Sequence, residues 1–184
     1  MTDIPSEDRF TAPSERCPHP EWWHSVNGNA TELEASILIA GLVRATQPEF
    51  VVETGSWEGQ TTELIGKALI ENGHGTLDSL EIESGVFQRA TQRCADLSSV
   101  NIINIDTFQY VPPKPINLLF IDGAYDREGE AKHIFPYMDK RSIVIMHDSA
   151  SLFKQTHIKD MIEIRGGEYI DIDIPRGLLI VKLP

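Results

Sequence analysis

The fold is decided by the stretch Phe50-Val51-Val52-Glu53-Thr54-Gly55-Ser56-Trp57-Glu58-Gly59. Its apolar beginning is typical of a short buried strand, predicted over 50–53, and its two glycines form a turn before a helix predicted over 61–71. The alternation recurs, which predicts strands over 76–82, 101–105, 117–121 and 142–146 and helices over 31–46, 86–96, 128–138 and 151–164. Strands that alternate with helices of this length form right-handed crossovers and a mainly parallel sheet.

The end of the chain follows a different pattern. Strands predicted over 169–174 and 178–181 are separated by Pro175-Arg176-Gly177, a connection too short for a crossover helix. These two strands are therefore predicted to pair as an antiparallel hairpin. The predicted fold is a single doubly wound α/β domain over 30–184, whose mainly parallel, seven-stranded sheet ends in this hairpin.

An irregular arm and a helix signal precede the predicted sheet. Residues 1–29 hold four of the eleven prolines and little hydrophobic periodicity, which predicts an irregular N-terminal arm. Within it, Trp22-Trp23-His24 has three interpretations: an anchor on the domain, a contact with a second subunit of a homo-oligomer, or a lid over a substrate. Thr31 and Glu34 have the spacing of a capping box, so Thr31 is predicted to cap the first helix.

Composition excludes several classes of function. The chain has 184 residues, which fits one domain, and its formal charge of −12 repels phosphate backbones, so nucleic acid is not expected as a partner. No apolar run reaches the ~20 residues of a membrane helix, and the acidic N-terminus is unlike a signal peptide. Cys17 and Cys94 form neither a disulfide framework nor a zinc motif. These features predict a cytoplasmic protein with no membrane partner.

Polar residues follow the first three strands, at the sheet edge where open parallel sheets bind ligands. The glycine turn after the first strand carries Trp57 and Glu58 where a dinucleotide fingerprint needs glycine, which argues against a nicotinamide-dependent dehydrogenase. Glu81 ends the second strand, where an acidic residue commonly accepts the hydroxyls of a ribose. Asp106 and Thr107 follow the third strand. These residues predict a site for an adenosine group.

The fourth and fifth strands each end in an aspartate. If these strands are neighbours, Asp122 and Asp148 emerge side by side, and a divalent cation would offset their repulsion. Hard carboxylate ligands suit Mg²⁺, and the adjacent His147 would also suit Mn²⁺ or Fe²⁺. The alternative is structural: Asp148 caps a helix, Asp122 caps a helix or starts a turn, and His147 is a packed side chain.

Together these motifs resemble class I S-adenosylmethionine-dependent methyltransferases, in particular the small-molecule O-methyltransferases grouped around macrolide and cephalosporin tailoring enzymes. The resemblance rests on the segments 51–59, Leu80-Glu81-Ile82-Glu83, Phe120-Ile121-Asp122-Gly123 and Ile143-Val144-Ile145-Met146-His147-Asp148. It implies a Rossmann-like methyltransferase fold with S-adenosylmethionine as the cofactor. The cofactor residues that it implies are Glu53, Gly55, Ser56 and Gly59 at the methionine part, Glu81 at the ribose, Asp106 and Thr107 at the adenine, and Asp122.

The implied activity is methyl transfer to a hydroxyl of a small molecule, assisted by a divalent metal, with Mg²⁺ favoured, that Asp122, Asp148 and His147 hold. His147, Asp148 and Asp122 are the expected catalytic residues, and His147 ranks before His133 and Lys154 as the general base. Two alternatives stay open: a metal-independent methyltransferase, and a non-catalytic protein that retains the fold. The chain departs from many relatives in having His147-Asp148 rather than two acids, and Lys140-Arg141 rather than two glycines.

Overall fold

Seven strands form one sheet. The computed structural model describes residues 12–123, 126–152, 162 and 166–184. The sheet order is β3-β2-β1-β4-β5-β7-β6, and only the pairs β5–β7 and β6–β7 are antiparallel. The strands are β1 Phe50–Thr54, β2 Thr76–Glu81, β3 Val100–Asn104, β4 Ile116–Ile121, β5 Met138–His147, β6 Glu168–Ile172 and β7 Leu178–Lys182. The predicted fold class, including the closing hairpin, is confirmed.

Within the described residues, α1 Leu33–Thr46 precedes the sheet, and the helices that follow are α2 Gln60–Asn72, α3 Ser84–Arg93, α4 Arg127–Ile134 and α5 Ser149–Leu152. The helix predicted over 61–71 is confirmed as α2, which ends at Asn72 because Gly73 takes the left-handed conformation that ends a helix. The predicted helix over 128–138 ends earlier, at Ile134, and a 3-10 helix with a proline follows it over Phe135–Tyr137. Most of the helix predicted over 151–164 lies outside the described residues, as do Tyr125 and Lys154.

The start of α1 corrects one prediction. The residue before the helix is Glu32 rather than Thr31, and it makes no capping bond with its side chain. The Thr31 hydroxyl instead donates to Asp122 Oδ2 at 2.6 Å, and Glu34 accepts from the backbone nitrogen of His24. The capping-box prediction is therefore wrong, because both side chains have more distant partners that sequence spacing does not reveal.

Hydrophobic side chains cover both faces of the sheet, as expected for parallel strands between helices. One core cluster, with Val52, Ile121 and Val144, packs against the α4 side, and the other, with Val51, Phe120 and Ile145, packs against α1 and α2. The alternation of these residues along each strand directs successive side chains to opposite faces. The rigid sheet that results fixes the positions of the residues at the strand ends.

The described part of the N-terminal arm lies on the domain. Arg16 bridges to Asp171 and Asp173 of the terminal hairpin segment, and Cys17 is buried. Trp23 packs on the core, whereas Trp22 is 64% exposed. These contacts support the anchor interpretation for the arm. Among the described helices, none is both long and apolar enough to span a membrane.

Candidate functional site

A cavity of about 550 Å³ lies at the carboxyl ends of the strands, beside the point where the strand order reverses between β1 and β4. Cavities of this size hold small molecules, and open α/β sheets bind ligands at this position. The lining residues come from the arm, the glycine turn, the ends of β2 to β5 and the terminal hairpin: Gly28, Asn29, Gly55, Trp57, Leu80, Glu81, Ile82, Glu83, Ile105, Asp106, Thr107, Phe108, Asp122, Gly123, Asp126, Arg127, Glu130, Asp148 and Arg176.

The glycine turn forms one wall of the cavity because Gly55 has no side chain. Gly55 has a φ of +80°, and a Cβ there would lie 2.7 Å from the carbonyl oxygen of Asp122. Its backbone nitrogen and that of Ser56 both donate to the carbonyl oxygen of Leu80, which ties the turn to β2. Trp57, also at positive φ, has a buried indole Nε1 with no partner among the described residues. This wall therefore contains a buried donor that is unsatisfied within the described residues.

Three predicted cofactor residues do not line the cavity and instead support the turn from behind. The carboxylate of Glu53 accepts from the hydroxyls of Thr62 and Ser79 at 2.6 and 2.5 Å, and burial raises the pKa of Glu53 to about 7 against those two bonds. The hydroxyl of Ser56 shares a hydrogen bond with that of Ser79. Gly59 precedes α2 and lies against Ala90 of α3. These residues therefore hold the turn in shape from the side away from the cavity.

The predicted adenosine residues do line the cavity. The two oxygens of Glu81 accept from the backbone nitrogens of Glu83 and Trp57, each at 2.9 Å, and burial raises the pKa of Glu81 although these bonds oppose the shift. Asp106 caps the 3-10 helix Thr107–Gln109 through the backbone nitrogen of Phe108. The Phe108 ring is 48% exposed and offers a face to a planar ligand. The backbone thus holds both carboxylates in place without blocking all their lone pairs.

Asp122 stands where the turn meets β4. Its Oδ2 accepts from the Thr31 hydroxyl at 2.6 Å, and its Oδ1 bonds Arg127 Nη2 at 2.9 Å and His147 Nδ1 at 3.0 Å. Burial acts against ionisation, but the charges of His147 and Arg127 outweigh it and lower the pKa of Asp122. Asp122 is therefore an ionised hydrogen-bond acceptor at the cavity wall.

His147 is fully buried and does not line the cavity. Its Nδ1 lies 3.0 Å from Asp122 Oδ1, and its Nε2 lies 2.6 Å from Glu32 Oε2. Burial alone would lower the pKa of His147, but Asp122 and Glu32 raise it to about 9, so the ring is protonated at neutral pH and donates to both carboxylates. Both ring nitrogens of His147 are therefore engaged by carboxylates, and its role as general base stays a prediction.

Asp148 is held by two arginines. Arg176 donates to both of its oxygens, through Nε at 2.5 Å and Nη2 at 2.9 Å, and Arg127 Nη1 reaches its Oδ2 at 2.7 Å. Burial opposes ionisation of Asp148, but the charges of His147, Arg127 and Arg176 lower its pKa well below the ordinary range. The residue has a positive φ of 61°, which is uncommon for a residue other than glycine.

Sequence reasoning missed four residues of this site: Arg127, Arg176, Glu32 and Glu130. Arg127 begins α4, Arg176 lies in the hairpin connection and Glu32 precedes α1, so no local motif joins them. Glu130 lines the cavity, accepts from the Thr54 hydroxyl at 2.8 Å, and has its pKa raised to about 7 by burial. The sequence offered one signal for Glu130. This acidic residue shares the buried side of α4 with the apolar Ala131 and Ile134.

The predicted metal residues are brought together, but their surroundings do not fit a divalent ion. Asp122, His147 and Asp148 offer ligand atoms within 4.8 Å of one another. However, all four oxygens of the two aspartates already accept hydrogen bonds, from Arg127, Arg176, Thr31 and His147. A cation there would lie beside two guanidinium groups that already offset the carboxylate charges, and it would be repelled by them.

Comparisons with known proteins agree with this architecture. The family described as methyltransferase domain matches residues 52–149, which is more than half of the chain. No curated protein matches the chain. Among solved structures, the SAM complex of the O-methyltransferase TomG from Streptomyces achromogenes is similar, with 15% identity, a TM-score of 0.67, and coverage of 85% of this chain and 82% of that chain.

Two further solved structures show the same similarity. The SAH-bound methyltransferase PaMTH1 from Podospora anserina has a TM-score of 0.73 at 11% identity, over 85% of this chain and 80% of that chain. An O-methyltransferase from Bacillus cereus in complex with SAH has a TM-score of 0.67 at 13% identity, over 85% and 83% of the two chains. At these identities, the likeness establishes a common fold.

Proposed function

Because this chain belongs to the methyltransferase-domain family, we propose that it transfers a methyl group from S-adenosylmethionine to a hydroxyl group of a small molecule. The observation that carries the proposal is a single cavity that joins the glycine turn and Glu81 to the carboxylates of Asp122 and Asp148. A donor cofactor and an acceptor molecule must meet in one site for an in-line transfer, and this cavity provides both ends.

The residues at the glycine-turn end of the cavity fit the cofactor. The wall at Gly55 admits a ligand against the backbone, and Glu81 retains acceptor capacity for two ribose hydroxyls. Asp106 and the exposed face of Phe108 offer an adenine a hydrogen-bond acceptor and a stacking surface. Trp57 Nε1 adds the buried donor that has no partner among the described residues. We assign Glu53, Ser56 and Gly59 to support of this wall.

The residues at the other end of the cavity, where Asp122 and Asp148 lie, fit an acceptor hydroxyl. When bound, S-adenosylmethionine supplies an electrophilic methyl group on a sulfonium. Asp122 and Asp148 line the cavity as ionised carboxylates, and each oxygen can accept more than one hydrogen bond. They therefore suit an O–H donor, which they would orient toward the methyl group. His147 holds Asp122 from the buried side and does not itself reach the cavity.

Metal assistance is the second candidate, and the close approach of Asp122, His147 and Asp148 favours it. The positive charges of the two arginines that already pair with these carboxylates oppose it. Methyl transfer in EDTA separates the candidates, because a metal-assisted reaction stops when the ion is removed.

Calorimetry with S-adenosylmethionine and with its demethylated product tests the cofactor assignment. We expect both to bind one site per chain, followed by methyl transfer to phenolic or sugar hydroxyls in an assay with a labelled methyl group. Absence of binding by either molecule at millimolar concentration would instead identify a non-catalytic protein that keeps the fold.

The Glu81→Gln variant is expected to bind S-adenosylmethionine about 10- to 100-fold more weakly, because a charged acceptor contributes roughly 1.5–3 kcal/mol. The backbone nitrogens of Trp57 and Glu83 would also lose a charged partner. Calorimetry measures the change, and Glu168→Gln, an exposed residue on β6, is the control. Equal affinities for the two variants would refute the ribose assignment.

A further inference from the structure

Two guanidinium groups lie inside the carboxylate cluster at the ends of β4 and β5. Arg127 bridges the two aspartates, with Nη2 at 2.9 Å from Asp122 Oδ1 and Nη1 at 2.7 Å from Asp148 Oδ2. Arg176 forms a two-pronged pair with Asp148 and also donates from Nη1 to the carbonyl oxygen of Ala30 at 3.2 Å. Both arginine side chains are only 10% exposed. Each cation therefore belongs to the wall of the cavity.

Among the described residues, the charges of this cluster balance without an ion. Two arginines face two aspartates, the protonated His147 is matched by the further carboxylate of Glu32, and every aspartate oxygen has at least one donor. The planar fork of arginine matches a carboxylate edge, so the pairs satisfy both charge and geometry. Mg²⁺ needs carboxylate oxygens at roughly 2.0–2.1 Å, and binding there would bring two positive charges beside the two guanidinium groups that already hold those carboxylates.

We propose that Arg127 and Arg176 take the place of a divalent cation at this edge of the sheet, so that the site binds no metal and its acceptor is a phenol-like hydroxyl. The proposal rests on the proposed function for the identity of the acceptor, whereas the absence of a metal site can be tested without it. The arginines hold Asp122 and Asp148 in fixed positions, as an ion would, while leaving the cavity lined by the same carboxylates.

The acceptor class follows from the chemistry that an ion would otherwise supply. A bound cation lowers the pKa of a hydroxyl that it touches, and chelation favours two adjacent oxygens. Without it, Asp122 and Asp148 are weak bases, because both carboxylates already accept hydrogen bonds from guanidinium groups. A hydroxyl that ionises readily is then required, such as a phenol with a pKa of about 10 rather than one near 16 as in water. A single hydroxyl is sufficient.

Titration with Mn²⁺ is the direct test and needs no activity. Wild-type protein is expected to show no saturable binding by calorimetry or by electron paramagnetic resonance of the free ion. Arg176→Met leaves Asp148 with less positive charge around it, and this variant should show saturable Mn²⁺ binding at concentrations at least about tenfold below those at which the wild-type protein shows none. Arg176→Lys keeps the charge, and Arg44→Met removes an exposed arginine paired with Glu71, so neither should gain Mn²⁺ binding.

A thermal melt followed by circular dichroism shows whether Arg176→Met folds. If it does not, the wild-type titration decides: stoichiometric Mn²⁺ binding at micromolar concentration that Asp148→Asn removes would overturn the proposal, and no binding would support it. Failure of S-adenosylmethionine to bind would count against the proposed function alone, because the Mn²⁺ titration does not depend on it.

The acceptor part is tested by methyl transfer in EDTA. Equal rates for a monohydroxyl phenol and for catechol, with no transfer to a sugar, would support the proposal. Loss of activity in EDTA that Mg²⁺ restores, or efficient transfer to sugar hydroxyls, would overturn it.

Discussion

At pH 8, the Glu130→Gln variant is expected to be more stable to unfolding than the wild-type protein by about 3 kcal/mol. Burial raises the pKa of Glu130 from 4.5 to about 7, although the hydroxyl of Thr54 and the charge of Arg127 act in the opposite direction. The carboxyl group also fills the space beside Gly123, where a Cβ would lie 2.1 Å from Glu130 Oε1. Ionisation of this side chain therefore acts against the folded state.

The sign follows from proton binding. Between pH 4.5 and 7, the folded protein holds a proton on Glu130 that the unfolded chain has lost, so this residue makes stability fall as the pH rises. Glutamine resembles the protonated form and can still accept from Thr54. The advantage of the variant should vanish below about pH 4 and level off above pH 7.

Urea denaturation at several pH values measures this difference. Glu49→Gln, at an exposed position before β1, is the control, and it should leave the free energy of unfolding unchanged at every pH. A Glu130→Gln variant less stable than wild type at pH 8 would show that the ionised carboxylate has a favourable partner in the fold.

Gly55→Ala is expected to lower the free energy of unfolding by about 2–5 kcal/mol and to weaken S-adenosylmethionine binding at least about tenfold. The residue has a φ of +80°, and the added Cβ would lie 2.7 Å from the carbonyl oxygen and 2.9 Å from the carbonyl carbon of Asp122. Both are backbone atoms, so no side-chain rotation relieves the collision. Either the turn or the end of β4 must move, and each forms part of the cavity wall.

Gly73→Ala provides a matched control for this prediction. Gly73 also has a positive φ, of 76°, but a Cβ there meets nothing within 4 Å. The Gly73→Ala variant should lower the free energy of unfolding only through backbone strain, by about 1–2 kcal/mol, and leave cofactor affinity unchanged. Denaturation and calorimetry on the two variants separate strain from collision. Equal losses in both would mean that the contact with Asp122 is unimportant.

The family assignment and the arrangement of the strands were predictable because they depend on local patterns. Buried runs such as Leu118-Leu119-Phe120-Ile121, glycine turns and short connections act over a few residues, and the structure confirms the sheet and the closing hairpin. The methyltransferase family predicted from the order of these motifs is also confirmed. The early end of α4 was missed because the phenylalanine-proline pair after Ile134 acted as a break within an otherwise helical pattern.

The candidate site was predictable in part. The sequence indicated that Gly55, Glu81, Asp106, Thr107, Asp122 and Asp148 would meet at one edge, since parallel strands end together, and all of them line the cavity. It did not indicate that Glu53, Ser56 and Gly59 lie behind the turn. Which way a side chain faces at a strand end depends on the φ of each turn residue and on partners such as Thr62 and Ser79.

By itself, the sequence determined the doubly wound sheet, its closing hairpin and the acidic residues at the strand ends, because periodicity and turn chemistry are local. Only the tertiary structure decided what surrounds those acids. Arg127 and Arg176 are far apart in the chain, yet they converge on Asp148 at 2.5–2.9 Å when α4 and the hairpin pack at the same edge. Whether a pair of carboxylates holds a metal ion or pairs with arginines depends on the neighbouring charges. Those charges are brought together by long-range packing.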